Sequence, residues 1–180
     1  LDIPLIGVHH LLAHLHAPAL DDEPIAFPAI GLIASGGHTA VYRLTSSLEA
    51  DLVGATIDDA VGEAFDKAAT LLEAGYPGGP AIEKLAAQGD AHAVSLPIPG
   101  SKKDVSFSYA GLKTALLYAA RGTPVGRGRK ATFPRSIDDV SASERADLAA
   151  SFQRCAVEAL MRGVERAMQD NNAASLCGGG

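Results

Sequence analysis

Two runs of strand-forming residues, Ile30–Ala34 (IGLIA) and Ala40–Thr45 (AVYRLT), flank the segment Ser35-Gly36-Gly37-His38-Thr39. This arrangement limits the fold more than any other feature of the chain. The adjacent glycines permit positive φ, so the segment reads as the connection of a β-hairpin. A plain turn is the simpler account of the glycine pair. The sharper one is an anion-binding nest, because glycines let backbone N–H groups approach a ligand closely. Val53–Ile57 reads as a further strand. Strands are followed by helical periodicity: Asp58 to about Glu73, with Val61, Phe65, Ala68 and Leu72 as its apolar stripe, then Ala81–Gln88 and Gly111–Ala120.

The remaining elements follow from local signals. Gly75 is expected to cap the helix ending near Glu73. Tyr76-Pro77-Gly78-Gly79-Pro80 reads as a rigid turn, and 90–103 as loop. Ser106–Tyr109 alternates like an edge strand. Ser141 and Glu144 form a capping box that starts a long helix with Leu148, Phe152, Cys155, Ala159 and Met168 near one face. Ala174–Cys177 reads as a last strand running into glycines. Carboxylates in a helix's first turn serve its dipole, which accounts for Asp58 and Asp59. Asp66 lies further in, either solvated or facing a ligand.

Upstream, Pro4–Val8 is apolar and β-branched enough for a short strand, and the run GVHHLLAHLHAP after it reads as a helix. His10 and His14 are four residues apart, so both imidazoles project from one helix face. That is the usual half-site for a divalent metal such as zinc or iron, although amphipathic-helix histidines would show the same spacing. A zinc protease of the HExxH kind is excluded, because Leu11 occupies the position of its general-base glutamate. Asp21–Pro28, with its acids and prolines, is the best candidate for a domain boundary.

Bulk properties narrow the class. A length of 180 residues suffices for a sizeable core, and 47% apolar with 20% charged residues is ordinary globular composition. The longest nearly apolar run, Ile25–Ala34, contains Pro28 and is too short to span a bilayer. No cationic stretch precedes an apolar core, so a secretory leader is not expected. Cys155 and Cys177 read as reduced core thiols, which favours the cytoplasm. The net charge of −6 argues against the chain as a whole binding nucleic acid. The local exception is the basic, loop-like stretch Arg121–Ser143 with Arg121, Arg127, Arg129, Lys130 and Arg135, which could reach phosphates or simply be solvated. The chain opens on Leu1 and closes on a glycine turn, so a fragment of a longer protein is expected.

Taken in order, GVHHLLAH, LIASGGHT, IDDAVGEAFDKAATLL, YPGGP, SFSYAGLKTAL and a terminal glycine pair closely resemble the TsaD family, over nearly the whole chain. Its members, once called O-sialoglycoprotein endopeptidases, are tRNA threonylcarbamoyladenosine synthases. The resemblance implies an α/β actin-like ATPase fold with two RNase H-like lobes. Residues 1–26 would be the end of the first lobe and 27–180 most of the second, truncated at its C-terminus. It implies that His10 and His14 ligate one divalent metal, iron(II) or zinc. It also implies that Ile33, Ala34, Ser35, Gly36 and Gly37 contact an acyl-adenylate, and that Asp66 and Gly79 contact the nucleotide (threonylcarbamoyl-AMP or ATP).

The implied reaction is acyl transfer from threonylcarbamoyl-AMP to the adenosine beside the anticodon, in the cytoplasm and away from membranes. Implied partners are tRNA, TsaB-like and TsaE-like proteins and the enzyme that makes the adenylate. No residue stands out as catalytic base. A non-catalytic scaffold paralogue is the alternative, and retention of both histidines and of SGGHT counts against it. A sugar kinase is disfavoured because such enzymes hold magnesium through carboxylates. The chain departs from the family pattern at Leu12, where an acid is common, and at His16, where an aliphatic is usual. The family's third metal ligand falls outside the sequence, so isolated residues 1–180 are expected to bind metal weakly and not to turn over.

Overall fold

The computed structural model describes residues 3–20, 24–100, 104–126 and 132–180. At its centre is a four-stranded sheet built from β1 (Ala29–Ala34), β2 (Thr39–Leu44), β3 (Ala50–Ala55) and β4 (Ser175–Gly179), in the order β3-β2-β1-β4. β1–β2 and β2–β3 are antiparallel, whereas β4 pairs parallel to β1, with Ala29 opposite Ser175 and Ile33 opposite Gly179. The expected hairpin is present. The third strand lies three residues earlier than its sequence pattern suggested.

Both faces of the sheet are covered, which is why β1 reads as a continuous apolar run. Ile30, Leu32 and Ala34 pack on one side, with Val41, against α2 (Val61–Leu72), α3 (Gly78–Ala86), α4 (Ala110–Arg121) and α5 (Ala142–Asp170). Ala29 and Ile33 pack on the other, with Leu44 and Cys177, against Leu11 and Leu15 of the short helix α1 (His10–His16). Alternation along one strand thus divides the core into a large and a small cluster. Gly31 leaves room for this packing: a Cβ there would lie 2.5 Å from the Leu15 Cδ2 methyl, which would have to shift. This mixed sheet with helices on both faces is the α/β, RNase H-like arrangement of an actin-like lobe.

Several local expectations are corrected. Pro4–Val8 is irregular and exposed, with Leu5 98% accessible. No described strand pairs with it, and an apolar run without a partner cannot satisfy its backbone as a strand. Ser106–Tyr109 makes only one bridge, Phe107 to Thr56. Helix α2 ends at Glu73 in left-handed conformation (φ 54°), two residues before Gly75. The segment Gly78-Gly79-Pro80 is not a turn ahead of α3 but its first turn, where proline is tolerated. Asp58 and Asp59 precede α2, and Asp58 serves a different helix. Asp58 Oδ1 accepts the Tyr109 N–H at 2.8 Å and its other oxygen accepts the Ser108 hydroxyl at 2.5 Å, which caps α4 from a distant loop. Asp59 pairs with Lys67 and Lys113. The Ser141–Glu144 capping box is formed as expected, and α5 buries Leu148, Phe152, Cys155 and Ala159.

Candidate metal and nucleotide site

The Ser35–His38 turn follows the carboxyl end of β1 and His14 lies against Gly179 near the end of β4, the usual ligand position in α/β sheets. Helix α1 packs on the small-cluster face of the sheet beside these ends. Leu11 and Leu15 point into the small cluster, so His10 and His14, each one residue earlier, are turned to its exposed flank. Their ring centroids are 5.8 Å apart. The terminal glycines allow β4 to pass close beneath: a Cβ on Gly179 would lie 2.9 Å from the His14 carbonyl oxygen and 3.2 Å from the His14 Cβ. Leu12, at the position where an acid is common, packs against the small cluster.

The Ser35–Thr39 connection closes on itself. The Ser35 N–H donates to the His38 carbonyl at 2.8 Å, and the His38 N–H donates to Ser35 Oγ at 3.1 Å. Thr39 is 2% exposed, and its hydroxyl oxygen accepts the Val61 N–H at 2.7 Å. It thereby satisfies one of the unpaired donors at the start of α2, whose own N-cap, Ala60, has no side chain able to do so. The Gly62 N–H donates to the Ser35 carbonyl at 3.2 Å. A Cβ on Gly62 would meet the Gly36 Cα and the Ser35 oxygen at 2.7 Å. By contrast, Gly36 and Gly37 are exposed, with no atom within 4 Å of where a Cβ would sit. Their backbone is open to a ligand. Ile33 is fully buried against α1 and Ala34 is half-buried, so Ser35, Gly36 and Gly37 form the accessible part of this segment.

Asp66 lies four residues after Gly62, on the same face of α2 about 6 Å further along. Its Oδ1 accepts the Gly78 N–H at 2.8 Å, tying the carboxylate to the first turn of α3. Gly78 must be glycine for that approach, since a Cβ would lie 2.6 Å from both the Asp66 nitrogen and Oδ1. Gly79 beside it is open, with nothing within 4 Å. Asp66 and Gly79 are therefore brought together by the Gly78 contact.

The structure adds one residue that the spacing argument passed over. His38 brings its ring 5.5 Å from that of His10, at an interplanar angle of 68°. It is 28 positions away in sequence, so no periodicity connects the two. Its place beside two glycines in a turn was the only available signal. Among the described residues, no three His, Cys, Asp or Glu form a group that could hold a metal ion. Both cysteines are unpaired and buried, and burial pushes their thiols up from the ordinary range, so neither is poised as a nucleophile. Arg127, Arg129 and Lys130 lie outside the described residues. Arg121 stacks over Phe133 at 4.6 Å and Arg135 pairs with Glu144, so these two cations hold their own loop. No described helix is long and apolar enough to cross a membrane.

Comparison with known proteins fits this arrangement. Residues 1–180 match the family model TsaD, described as tRNA N6-adenosine threonylcarbamoyltransferase. The chain is 45% identical over 170 residues to a tRNA N6-adenosine threonylcarbamoyltransferase of Paracidovorax citrulli, covering 94% of this chain and 45% of that protein. It is 46% identical over 160 residues to the protein of that name from Albidiferax ferrireducens, covering 88% and 44%. With the one from Trichlorobacter lovleyi it shares 44% identity over 180 residues, covering 99% and 48%. The chain thus spans about half the length of the curated relatives it matches. With a family model that matches from its first residue to its last, the chain belongs to the TsaD family.

Proposed function

We propose that this chain supplies the metal-binding helix and the nucleotide-binding lobe of a tRNA N6-adenosine threonylcarbamoyltransferase. The observation that carries the reading is a chain of neighbours through the Ser35–His38 turn: His38 beside His10, Gly36 against Gly62 of α2, and Asp66 one turn further along α2. This chain links the exposed His10–His14 pair, the open Gly36–Gly37 backbone, and Asp66 held beside Gly79. On this reading residues 1–26 complete a first lobe and 27–180 form most of a second. The enzyme acts in the cytoplasm with TsaB-like and TsaE-like proteins.

The chemistry suits these residue types. Threonylcarbamoyl-AMP is a mixed anhydride and already activated, so no covalent nucleophile is needed. The adenosine amine attacks the carbamoyl carbon, the bond from that carbon to the phosphate oxygen breaks, AMP departs and the amine nitrogen loses a proton. That amine is delocalised into the adenine ring and is a poor nucleophile, so rate must come from positioning and charge stabilisation. The Gly36 and Gly37 N–H groups would seat the phosphate, and their support by Gly62 keeps them in place without reorganisation. Asp66, fixed by Gly78, would accept a hydrogen bond from a ribose hydroxyl, with Gly79 allowing close approach. Two exposed imidazoles a helical turn apart fit a divalent metal such as iron(II) or zinc. Bound there, the metal would supply positive charge to a carbamoyl or phosphate oxygen.

The test uses the full-length gene product, wild type and H10A/H14A. Bound metal is measured by elemental analysis, and transfer to tRNA is assayed with partner proteins present. The expected result is loss of both in the variant. Metal-free wild type whose transfer is indifferent to the substitutions overturns the metal assignment. No transfer by folded wild type with all partners overturns the enzyme reading in favour of a scaffold.

A further inference from the structure

We propose that His38 is a positioning residue of the metal half-site: its ring buttresses His10 and links the histidine helix to the adenylate turn. The proposal rests on the reading of His10 and His14 as metal ligands given above.

Two ligands on a short helix must be held in orientation before a metal arrives, or each binding event pays the cost of ordering them. Nothing in α1 itself does this for His10. The helix has seven residues, its N-cap His9 makes no side-chain cap, and only Leu11 and Leu15 are buried. His10 is exposed, so burial does not select its rotamer. His14 is better placed, because its backbone lies against Gly179 of β4.

His10 instead has ring neighbours: His9 at 6.4 Å, His14 at 5.8 Å and His38 at 5.5 Å, the nearest of the three. The first two share its helix and move with it. His38 comes from a separate and rigid element. Its N–H and carbonyl are both bonded to Ser35, the next residue is buried and bonded to α2, and Gly36 is wedged on Gly62. An edge-on ring from a fixed post can hold the His10 imidazole where a ring on the same short helix cannot. The same link has a second consequence. Any displacement of the Ser35–His38 turn on loading with nucleotide is passed to His10 through one ring contact.

His38 acts through His10 and does not ligate, in keeping with the lack of a three-ligand group among the described residues. Ligand orientation by a non-ligating neighbour changes metal affinity by about 10–100-fold in known sites. The test is equilibrium binding of cobalt(II) and zinc(II) alone to full-length protein, for wild type, H38A and H38F. Circular dichroism checks that each variant is folded. Loss of the ring in H38A is expected to weaken binding about tenfold and to alter the cobalt absorption spectrum. H38F keeps a ring edge without a nitrogen and is expected to stay within about threefold of wild type. H38A with wild-type affinity and spectrum overturns the proposal. H38F as weak as H38A also overturns it, because the nitrogen rather than the ring would then matter and His38 would be a ligand. Failure of the parent reading looks different: wild type without metal, or H10A/H14A binding as well as wild type.

Discussion

The two faces of the sheet are built to different standards. Among the described residues, the face covered by α2–α5 holds a cluster of 24 buried ones, including Phe152, Leu116 and Tyr109. The α1 face holds six such residues, of which the helix contributes Leu11 and Leu15, with Leu12 partly buried alongside. The candidate site spans both. Its nucleotide half is fixed by backbone contacts so close that Gly62 and Gly78 admit no side chain, whereas its histidine half rests on a short helix with exposed rings. The two halves therefore differ in preorganisation. The proposed nucleotide cradle is part of the folded core, and the proposed metal half-site is an attachment that depends on a few contacts.

Four changes, made in the full-length protein, test that contrast. Phe152 is fully buried and meets Phe65 edge-on at 5.3 Å, so F152A should cost about 3–5 kcal/mol in urea unfolding. Leu15 is equally buried but in the small cluster, so L15A should cost about 2 kcal/mol while weakening zinc binding about tenfold. Equal stability losses with unchanged zinc affinity would remove the distinction between the faces. G62A places a methyl against backbone on two sides and should cost about 1–2 kcal/mol, with AMP binding by calorimetry weakened while zinc binding is retained. If AMP affinity is unaffected, the turn is not the cradle. S141A removes the cap of α5 on the far side from the histidines, and should cost about 1 kcal/mol with no change in either ligand.

The smallest expected effect is on pH dependence. Burial, the largest influence on Asp58, would raise its pKa from the ordinary 3.8. Hydrogen bonds from Ser108, Tyr109 and Ala110 and the Lys113 charge outweigh it, and the net shift is downward. A carboxyl whose folded pKa is depressed adds stability above its unfolded pKa and loses it as pH falls through the folded one. D58N should therefore flatten the acid limb of stability below about pH 4. An unchanged limb would mean that Asp58 does not lock α4 to the sheet in solution.

Much of this was legible in the chain. The hairpin, the capping box of α5 and the spacing of His10 and His14 are local patterns, and the sequence alone determined them because each depends on neighbours within a few residues. The ordered motifs also determined the family. Tertiary structure decided what distant segments do to one another. Asp58 caps α4 about 50 residues away, Thr39 caps α2, and Asp66 anchors α3. Pro4–Val8 had a strand's composition but no partner, and Ser106–Tyr109 had the alternation but only one bridge. His38 reached His10 only because α1 packs on β1, whose carboxyl end leads into the His38 turn. Helix and turn propensities act over a few bonds, whereas capping and ring contacts act across space. The second kind has no period in sequence, so only the folded chain could disclose it.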